Sequence, residues 1–485
     1  MTKRIMVALA TTFISASAFA GGFVTNTNQT VAFLRQPAQD ATISASSAYF
    51  NPAGVGFLDR KFHFSFNWQS AHQSREVTAN YAPLALGNAS AQKKYKGFAN
   101  ANFLPSVDLA WRFTDDFFAS FHFGVVGGGG KATYDNGLGS LESMVAIYPA
   151  VINRLVGANV CTYSADINLI GKQYIFAGQL NIGYRINEHL SIAAGLRANY
   201  LYNNYSAGIR NISIDGLQNV PALAPLAAGL GALLADRELD CTQTDLAWTP
   251  VIGIDYKAGP FNFAAKYEFN TSVRLKNETA VGKDAGMAHF ADGADDIASD
   301  IPALLTIGAS YDVLPSLHLN LGFHQYFDKN ASFHNSATGA NDRQDSIDKN
   351  AYELLAGVEY DLSKKFTVSA GGQLTRFGWG EGCEFINDQS FNVNSYSLGA
   401  GFRYHLNDKI CIDAAVFKTF YDKTDKVMAD YNNAGASAFA TLSQVAGQML
   451  GAVAPGATAD SFKVPGTDTY YRTNTVFGLG INIAF

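Results

Sequence analysis

Large apolar residues occur at every second position over long stretches of this sequence. In the segment 174–186, YIFAGQLNIGYRI, an extended chain would present large apolar side chains on one face and polar or small ones on the other. The apolar face would carry Tyr174, Phe176, Leu180, Ile182, Tyr184 and Ile186, and the opposite face Ala177, Gln179, Asn181, Gly183 and Arg185. The alternation resumes after Asn187 and Glu188, so the sequence predicts an antiparallel hairpin with a tight turn.

Similar alternating segments recur along the chain and predict about fourteen strands, an even number. They lie near residues 61–72, 98–113, 117–134, 172–186, 189–205, 244–257, 260–276, 302–312, 316–328, 350–361, 365–378, 391–406, 409–422 and 469–485. Short turns alternate with long, polar or irregular segments, and the short ones fall at 115–116, 259–260, 315–316 and 407–408. We therefore expect long loops on one side of the sheet and short turns on the other.

The apolar faces are rich in Phe, Tyr and Leu, and they need a neighbour other than water. A soluble sandwich would bury them against a second sheet but gives no reason for loops that alternate in length. A barrel in the outer membrane explains both features, because closure satisfies every backbone group and the apolar parity faces lipid. The sequence therefore predicts an all-β fold, a transmembrane antiparallel β-barrel in a Gram-negative-type outer membrane.

The last strand supports the same interpretation. Its apolar face carries Phe477, Leu479, Ile481, Ile483 and Phe485. The terminal aromatic residue resembles the C-terminal signal that the barrel assembly machinery reads, so we expect that machinery to be a partner during insertion.

Residues 1–20 predict export. Lys3 and Arg4 precede an apolar run at 5–13, and Ala18-Phe19-Ala20 gives a small-residue cleavage pattern. A membrane-spanning helix needs roughly twenty apolar residues, and this run is much shorter. We interpret the segment as a cleaved signal peptide.

Composition excludes several other classes of protein. The formal net charge of −6 argues against a nucleic-acid partner. The 4 cysteines are scattered and form no CxxC pair, so we expect neither a disulfide scaffold nor a metal site, and no cofactor. No linker or shift in composition follows residue 60, so residues 60–485 are expected to form one barrel, which acts as a monomer.

The segment between the signal peptide and the first strand, residues 21–59, follows neither a helical nor a strand period. Near its end, AYFNPAG at 48–54 places Asn51, Pro52 and Ala53 shortly before the first strand. Pro52 would hold Asn51 out of the helical region and fix a turn, and the Asn51 side chain can bond nearby backbone. An ordinary turn at the start of a strand is the alternative interpretation.

This motif, its placement and the start GGF at 21–23 resemble the FadL-type family of outer-membrane transporters of hydrophobic compounds. The resemblance covers essentially the whole mature chain, including the strand count and the alternation of loops. It implies that residues 21–59, with Asn51, Pro52 and Ala53, form an N-terminal hatch inside the barrel. It also implies helical segments in the extracellular loops.

The stretch FHFGVVGGGGKATY at 121–134 begins as a strand and then contains Gly127, Gly128, Gly129 and Gly130. Glycine weakens a strand and often marks a bulge, a bend or a close approach of backbone. FadL-type proteins have an inward kink in the third strand that opens a hole in the barrel wall, and these glycines fall in the third predicted strand. The resemblance therefore implies a lateral opening here, and close approach of the hatch to the wall is the alternative.

Two long loops carry apolar residues at helical spacing. These are Leu141, Met144, Val145, Tyr148, Ile152 and Leu155 in the second outer loop, and Val220, Leu223, Leu226, Leu230, Leu233 and Leu234 in the third. Members of the family hold substrate in an external apolar groove between such loops. The resemblance thus makes Met144, Val145, Tyr148, Ile152, Leu155, Leu223, Leu226, Leu230 and Leu233 candidate substrate-binding residues. Two helices that bury each other as a lid are the alternative.

Cysteines and lumen charges complete the candidate residues. Cys161 and Cys241 fall in these two loops, and a disulfide between them would join the loops in an oxidising compartment. Most charged residues with lumen parity should pair with one another inside the barrel. Arg197, near mid-strand among small neighbours, and Lys131, directly after the glycines, are candidates to bind a substrate carboxylate.

The resemblance implies that the protein takes up hydrophobic compounds, with long-chain fatty acids as the expected substrate and membrane lipid as the surrounding partner. An enzyme is disfavoured, because GxSxG is missing and GGGGKA lacks the spacing and the Ser or Thr of a phosphate loop. A plugged porin-like channel and a surface receptor or adhesin stay open as alternatives, and a barrel hydrolase is a weaker one.

Overall fold

The computed structural model describes residues 24–219, 235–282, 288–335, 339–380, 382–453 and 455–485. The predicted signal peptide lies outside these residues. The strands are β1 Phe62–Tyr81, β2 Gln92–Arg112, β3 Phe117–Tyr134, β4 Thr162–Arg185, β5 Leu190–Asp215, β6 Arg237–Ala258, β7 Phe261–Glu268, β8 Arg274–Val281, β9 Ile297–Ala298, β10 Leu304–Leu314, β11 Leu317–Tyr326, β12 Ile347–Ser363, β13 Phe366–Trp379, β14 Ser395–His405, β15 Ile410–Tyr421, β16 Thr424–Met428 and β17 Gly466–Ala484. The α-helices are α1 Val31–Arg35, α2 Ser47–Phe50, α3 Gly139–Val156 and α4 Ala434–Val453.

Within the described part of the chain, 14 of these strands form one closed antiparallel barrel, as predicted. β1 pairs with β2 on one side and with β17 on the other, and this second pairing closes the sheet. The backbones of Phe62 and Phe485 exchange two hydrogen bonds, of 3.3 and 2.9 Å, at the start and end of the barrel. The short strands β8, β9 and β16 are additions that pair with β6, β8 and β17.

Several barrel strands are longer than the hydrophobic pattern predicts. β1 continues to Tyr81 and β5 to Asp215, so parts of the predicted outer loops are strand. The predicted strand at 260–276 is wrong in its second half, because β7 ends at Glu268. The chain then leaves its neighbour β10, bridges to Ile301, and re-enters a sheet as β8 against β6.

The two parities of the strands face lipid and lumen as predicted. Leu180 and Ile182 point outward and are 58% and 66% exposed, whereas Gln179 and Asn181 point inward and are buried. Outward apolar side chains of this kind are typical of the lipid-facing band of a barrel. Among the described residues, no helix has both the length and the apolar character needed to cross a membrane.

Residues 24–58, which we call the N-terminal segment, lie on the inner side of the barrel wall, and most of them are buried. The helix α1 starts at the Thr30 cap, whose side chain accepts a hydrogen bond from the Phe33 amide. It packs against β14, β15 and β17, and the chain then crosses to the opposite wall, where the stretch Pro52–Phe57 contacts β4, β5 and β6.

The Asn-Pro-Ala motif forms the turn that its sequence predicts. The Asn51 side chain accepts a hydrogen bond from the Gly54 amide at 3.2 Å and caps a 3₁₀ helix that begins at Pro52. The same side chain donates to Asp255 of β6. The motif therefore fixes the local turn and joins it to the wall.

Charged groups connect the N-terminal segment to the wall at further points. Arg35 pairs with Glu359 at 2.7 Å, and Asp40 pairs with His324 at 3.0 Å. On the other side, the Lys266 ammonium donates to the Tyr49 carbonyl at 3.0 Å. Because buried charges are costly unless they are paired, these contacts hold the segment in one position.

Candidate functional site

The strand β3 loses its regular geometry at the glycine run. Gly128 and Gly130 have φ values of 92° and 69°, in the left-handed region that other residues rarely adopt. The pairing of β3 with β4 shifts register between Val125 and Gly127, and again between Gly127 and Gly130. A Cβ on Gly128 would lie 2.5 Å from the Gln173 carbonyl oxygen. The backbone path therefore requires glycine here.

The kink separates β3 from β2. These strands pair up to Phe123 and again from Ala132, and between these points their described residues form no ladder with each other. We call this break, residues 100–106 of β2 facing 124–131 of β3, the wall gap. It lies where the glycine run predicts a kink in the third strand.

The N-terminal segment lies against the inner side of the wall gap. The Asn26 amide donates to the Val126 carbonyl at 2.7 Å, and the Gly128 amide donates to the Val24 carbonyl at 3.3 Å. A Cβ on Gly127 would lie 2.6 Å from the Val24 oxygen. Close approach of this segment to the wall, the alternative explanation of the glycines, therefore occurs together with the kink.

A pocket inside the barrel, which we call the inner pocket, reaches the same point. Leu275, Ile297 and Phe333 form much of its apolar lining, and Arg343 lies on its polar side. Val24 lines the pocket and also accepts the bond from the kinked strand. The inner pocket and the wall gap are therefore neighbours, separated by the start of the N-terminal segment.

Arg343 places a positive charge at the inner pocket. Its side chain is 4% exposed, and its guanidinium lies 4.2 Å from the centre of the Phe385 ring. One nitrogen donates to the Glu384 carbonyl at 2.7 Å, whereas Nε has no hydrogen-bond partner among the described residues. Burial lowers the pKa of Arg343 to about 10, so the group is still protonated at neutral pH. A buried guanidinium with an open donor can bind a carboxylate.

The sequence did not single out Arg343. It lies in the long loop between β11 and β12, where no strand parity shows the direction of a side chain. Its position depends on tertiary packing, which residue spacing does not report.

The two basic residues that the sequence suggested, Arg197 and Lys131, lie outside the inner pocket. Arg197 does face the lumen, but it is already paired with the buried carboxylate of Glu268, which also binds Lys266 at 2.7 Å. Lys131 has the outward parity of β3 and is exposed. Neither residue lines the inner pocket, and binding of a substrate carboxylate by Arg197 or Lys131 stays a prediction.

The helix predicted in the second outer loop is α3. Val145, Tyr148 and Ile152 are buried, and Met144 and Leu155 are partly buried. They share an apolar cluster with Ala438 and Leu442 of α4. The structure thus covers α3 with α4, which lies between β16 and β17. The lid alternative paired α3 with the third outer loop instead, so that pairing and substrate binding by α3 both stay predictions. Leu223, Leu226, Leu230 and Leu233 lie outside the described residues.

The predicted disulfide is absent. All 4 cysteines are free, namely Cys161, Cys241, Cys383 and Cys411. Cys161 precedes β4, whereas Cys241 lies within β6 at the level of Tyr205 and Gly171. This offset along β4 is roughly 30 Å of extended chain, far beyond the Cα separation of a disulfide. The prediction failed because it placed Cys241 in a loop, whereas β6 begins at Arg237.

Comparisons with known proteins agree with this architecture. The family described as outer membrane protein beta-barrel domain matches residues 274–440. No curated protein matches the sequence.

Solved structures match over almost the whole chain. A FadL homologue from Pseudomonas aeruginosa is 14% identical, with 96% of this chain and 100% of that chain covered and a TM-score of 0.60. The toluene transporter TodX of P. putida is 11% identical, with coverage of 92% and 96% and a TM-score of 0.53. The toluene transporter TbuX of Ralstonia pickettii is 12% identical, with coverage of 93% and 98% and a TM-score of 0.50. The protein thus has the outer-membrane barrel fold of the FadL-type transporters.

Proposed function

We propose that this outer-membrane barrel takes up hydrophobic compounds and releases them sideways into the membrane through the wall gap. The carrying observation is that the inner pocket ends at Val24, directly behind the kinked part of β3. A solute that leaves this pocket through the gap reaches lipid without crossing the rest of the lumen.

The N-terminal segment supports the lateral route over a direct one. Below the inner pocket, Arg35, Asp40 and Tyr49 join the N-terminal segment to three different strands of the wall. A water-filled pore would need this material to move out of the lumen. The wall gap, in contrast, needs only the local displacement of the chain at 24–29. In this proposal residues 21–59 act as the plug.

Capture from outside would begin at the α3 and α4 helices. Val145, Tyr148 and Ile152 face the apolar cluster that these helices share, and their exposure on separation of the helices would offer an apolar surface. The residues of the third outer loop, Leu223, Leu226, Leu230 and Leu233, are proposed to complete that surface.

The preferred substrate in this proposal is a long-chain fatty acid. Arg343 would bind the carboxylate, and Leu275, Ile297 and Phe333 would contact the chain once the pocket, about 40 Å³ in this structure, widens to admit it. TodX and TbuX are described as toluene transporters, and toluene has no charge. A buried guanidinium with an open donor favours an acid for the present protein.

Filling the kink tests the lateral route. Replacing Gly128 and Gly129 together by valine adds side chains at the wall gap, where a Cβ on Gly128 already meets the Gln173 carbonyl. We expect uptake of a labelled fatty acid into cells to fall by about tenfold or more, because the kinked path is not available to valine. Binding of the acid to the purified protein should persist.

Gly178→Val is the matched control. It lies on β4, and a Cβ there would meet only the Phe121 ring, at 3.6 and 3.8 Å. Heat-modifiable gel migration must first show that each variant is a folded barrel. A folded Gly128→Val/Gly129→Val protein that transports at the parental rate would refute lateral release.

Replacing Arg343 by glutamine tests the substrate class. We expect affinity for a long-chain fatty acid to fall by about tenfold, because a charge-assisted hydrogen bond in a buried site contributes 1.5–3 kcal/mol at the order-of-magnitude level. Affinity for a neutral hydrocarbon should change little. Tryptophan fluorescence, followed as each compound is added, measures the dissociation constants of the fatty acid and of the hydrocarbon.

Arg343→Lys keeps the positive charge and serves as the control. It should retain preference for the acid over the hydrocarbon. Equal losses for both compounds in Arg343→Gln would show that Arg343 supports the shape of the inner pocket and does not recognise a carboxylate.

A further inference from the structure

Gln29 of the N-terminal segment bonds to both edges of the wall gap. Its carbonyl accepts a hydrogen bond from the Ser106 hydroxyl of β2 at 2.5 Å. Its side-chain amide donates to the Val125 carbonyl of β3 at 2.9 Å. Gln29 therefore spans the lower end of the gap from the inside.

The orientation of the Gln29 amide is fixed by its partners. Its Nε2 group also donates to the Asn26 carbonyl at 2.7 Å, so two carbonyl oxygens face the NH₂ end. The Oε1 atom is thereby directed at Nε2 of His122, 3.2 Å away. An amide oxygen can only accept, so the His122 nitrogen must carry a proton for this contact to be a hydrogen bond.

The other ring nitrogen of His122 faces a carboxylate. Its Nδ1 lies 2.7 Å from Oδ1 of Asp108, and both side chains are fully buried. A proton must lie between these atoms, on either the ring or the acid. The closed arrangement thus holds two protons on the Asp108–His122 pair, one shared between the residues and one on Nε2. This count is the same for an ion pair and for a neutral pair.

The other groups around His122 do not supply a second acid in the described structure. Tyr49 packs against the ring, with centroids 4.7 Å apart, and Gln179 lies opposite on β4. Arg197 and Lys266 lie over the Tyr49 ring, at 5.9 and 4.6 Å from its centre. Their carboxylate partner is Glu268.

We propose that Asp108 and His122 form a proton-dependent latch that holds Gln29 across the wall gap. Release of one proton to solvent leaves Nδ1–H donating to Asp108 and a lone pair on Nε2 facing the Gln29 oxygen. Two acceptors then oppose each other, and Gln29 loses this anchor. The closed state binds one proton more than the released state, so higher pH favours release. This inference rests on the proposed lateral route.

The test uses a neutral probe, pyrene, whose own charge does not change with pH. Uptake by proteoliposomes containing the full mature chain is measured from about pH 5 to 9. We expect the parent to transport about tenfold faster at the high end, the change that loss of one buried charge-assisted bond can produce. Gln29→Ala should be fast throughout, and His122→Gln should lose the dependence on pH.

His189→Gln, in an exposed turn, is the control and should keep the parental pH profile. A parent whose uptake is flat with pH, or a folded His122→Gln variant that keeps the parental profile, would overturn the latch. Hydrogen exchange of residues 24–29, corrected for intrinsic rates, supplies a readout that does not require transport. Exchange that fails to rise with pH in the parent also overturns it. Absence of pyrene uptake at every pH, with exchange that does rise, would instead count against the proposed function.

Discussion

Deletion of residues 24–58 is expected to turn the barrel into an open pore for small polar solutes. The wall itself should still close, because β1 pairs with β17 along its whole length without help from this segment. The exposed lumen would be lined by polar groups that now contact the segment, such as Glu359 and His324. We expect steady conductance in planar bilayers to rise on the order of tenfold or more, with swelling of liposomes in small sugars.

Deletion of the outer helix α4, residues 434–453, distinguishes a block by the N-terminal segment from a block by the outer helices. It should leave conductance near the parental level if the N-terminal segment alone blocks the lumen. A folded 24–58 deletion that conducts no more than the parent would place the block in the outer loops.

The strands were predictable because each barrel position faces one of two solvents. Lipid and lumen impose opposite requirements on neighbours such as Gln179 and Leu180, and that contrast is visible in the sequence. The contrast fades beyond the membrane. For this reason the alternation predicts loops where the outer parts of β5 and β6 lie, and it places Cys241 in a loop although Cys241 belongs to β6.

The site was predictable only where backbone chemistry decided it. The glycine run marked the wall gap, because few residues other than glycine adopt the φ of Gly128. Side-chain partners were not visible. Strand parity predicted that Arg197 faces the lumen, but it did not show that the Arg197 guanidinium is already paired with Glu268. Arg343 and Gln29 depend on long-range packing of irregular chain, for which the sequence has no period.

Replacing Glu268 by alanine should be strongly destabilising. Its two carboxylate oxygens bind Arg197 and Lys266, and all three side chains are at most 3% exposed. Without the acid, two cations would stay buried next to each other with no carboxylate between them. Breaking a buried pair in this way costs about 3–5 kcal/mol. The Tyr49 ring and carbonyl contact the same cations, so the N-terminal segment should loosen as well.

The loss in the free energy of unfolding is measured by titrating the folded barrel with guanidinium chloride, with heat-modifiable gel migration as the readout of the folded fraction. Glu76→Ala is the matched control: Glu76 pairs with Lys94 at 2.7 Å, but these side chains are 27% and 52% exposed. Removal of that acid should change the free energy of unfolding by only about 0–1 kcal/mol, because water solvates the remaining cation. The informative quantity is the loss in the free energy of unfolding of Glu268→Ala relative to that of Glu76→Ala. If Glu268→Ala were as mild as Glu76→Ala, water or a ligand would have to reach Arg197 in the lumen, and Arg197 would again be a candidate to bind the substrate carboxylate.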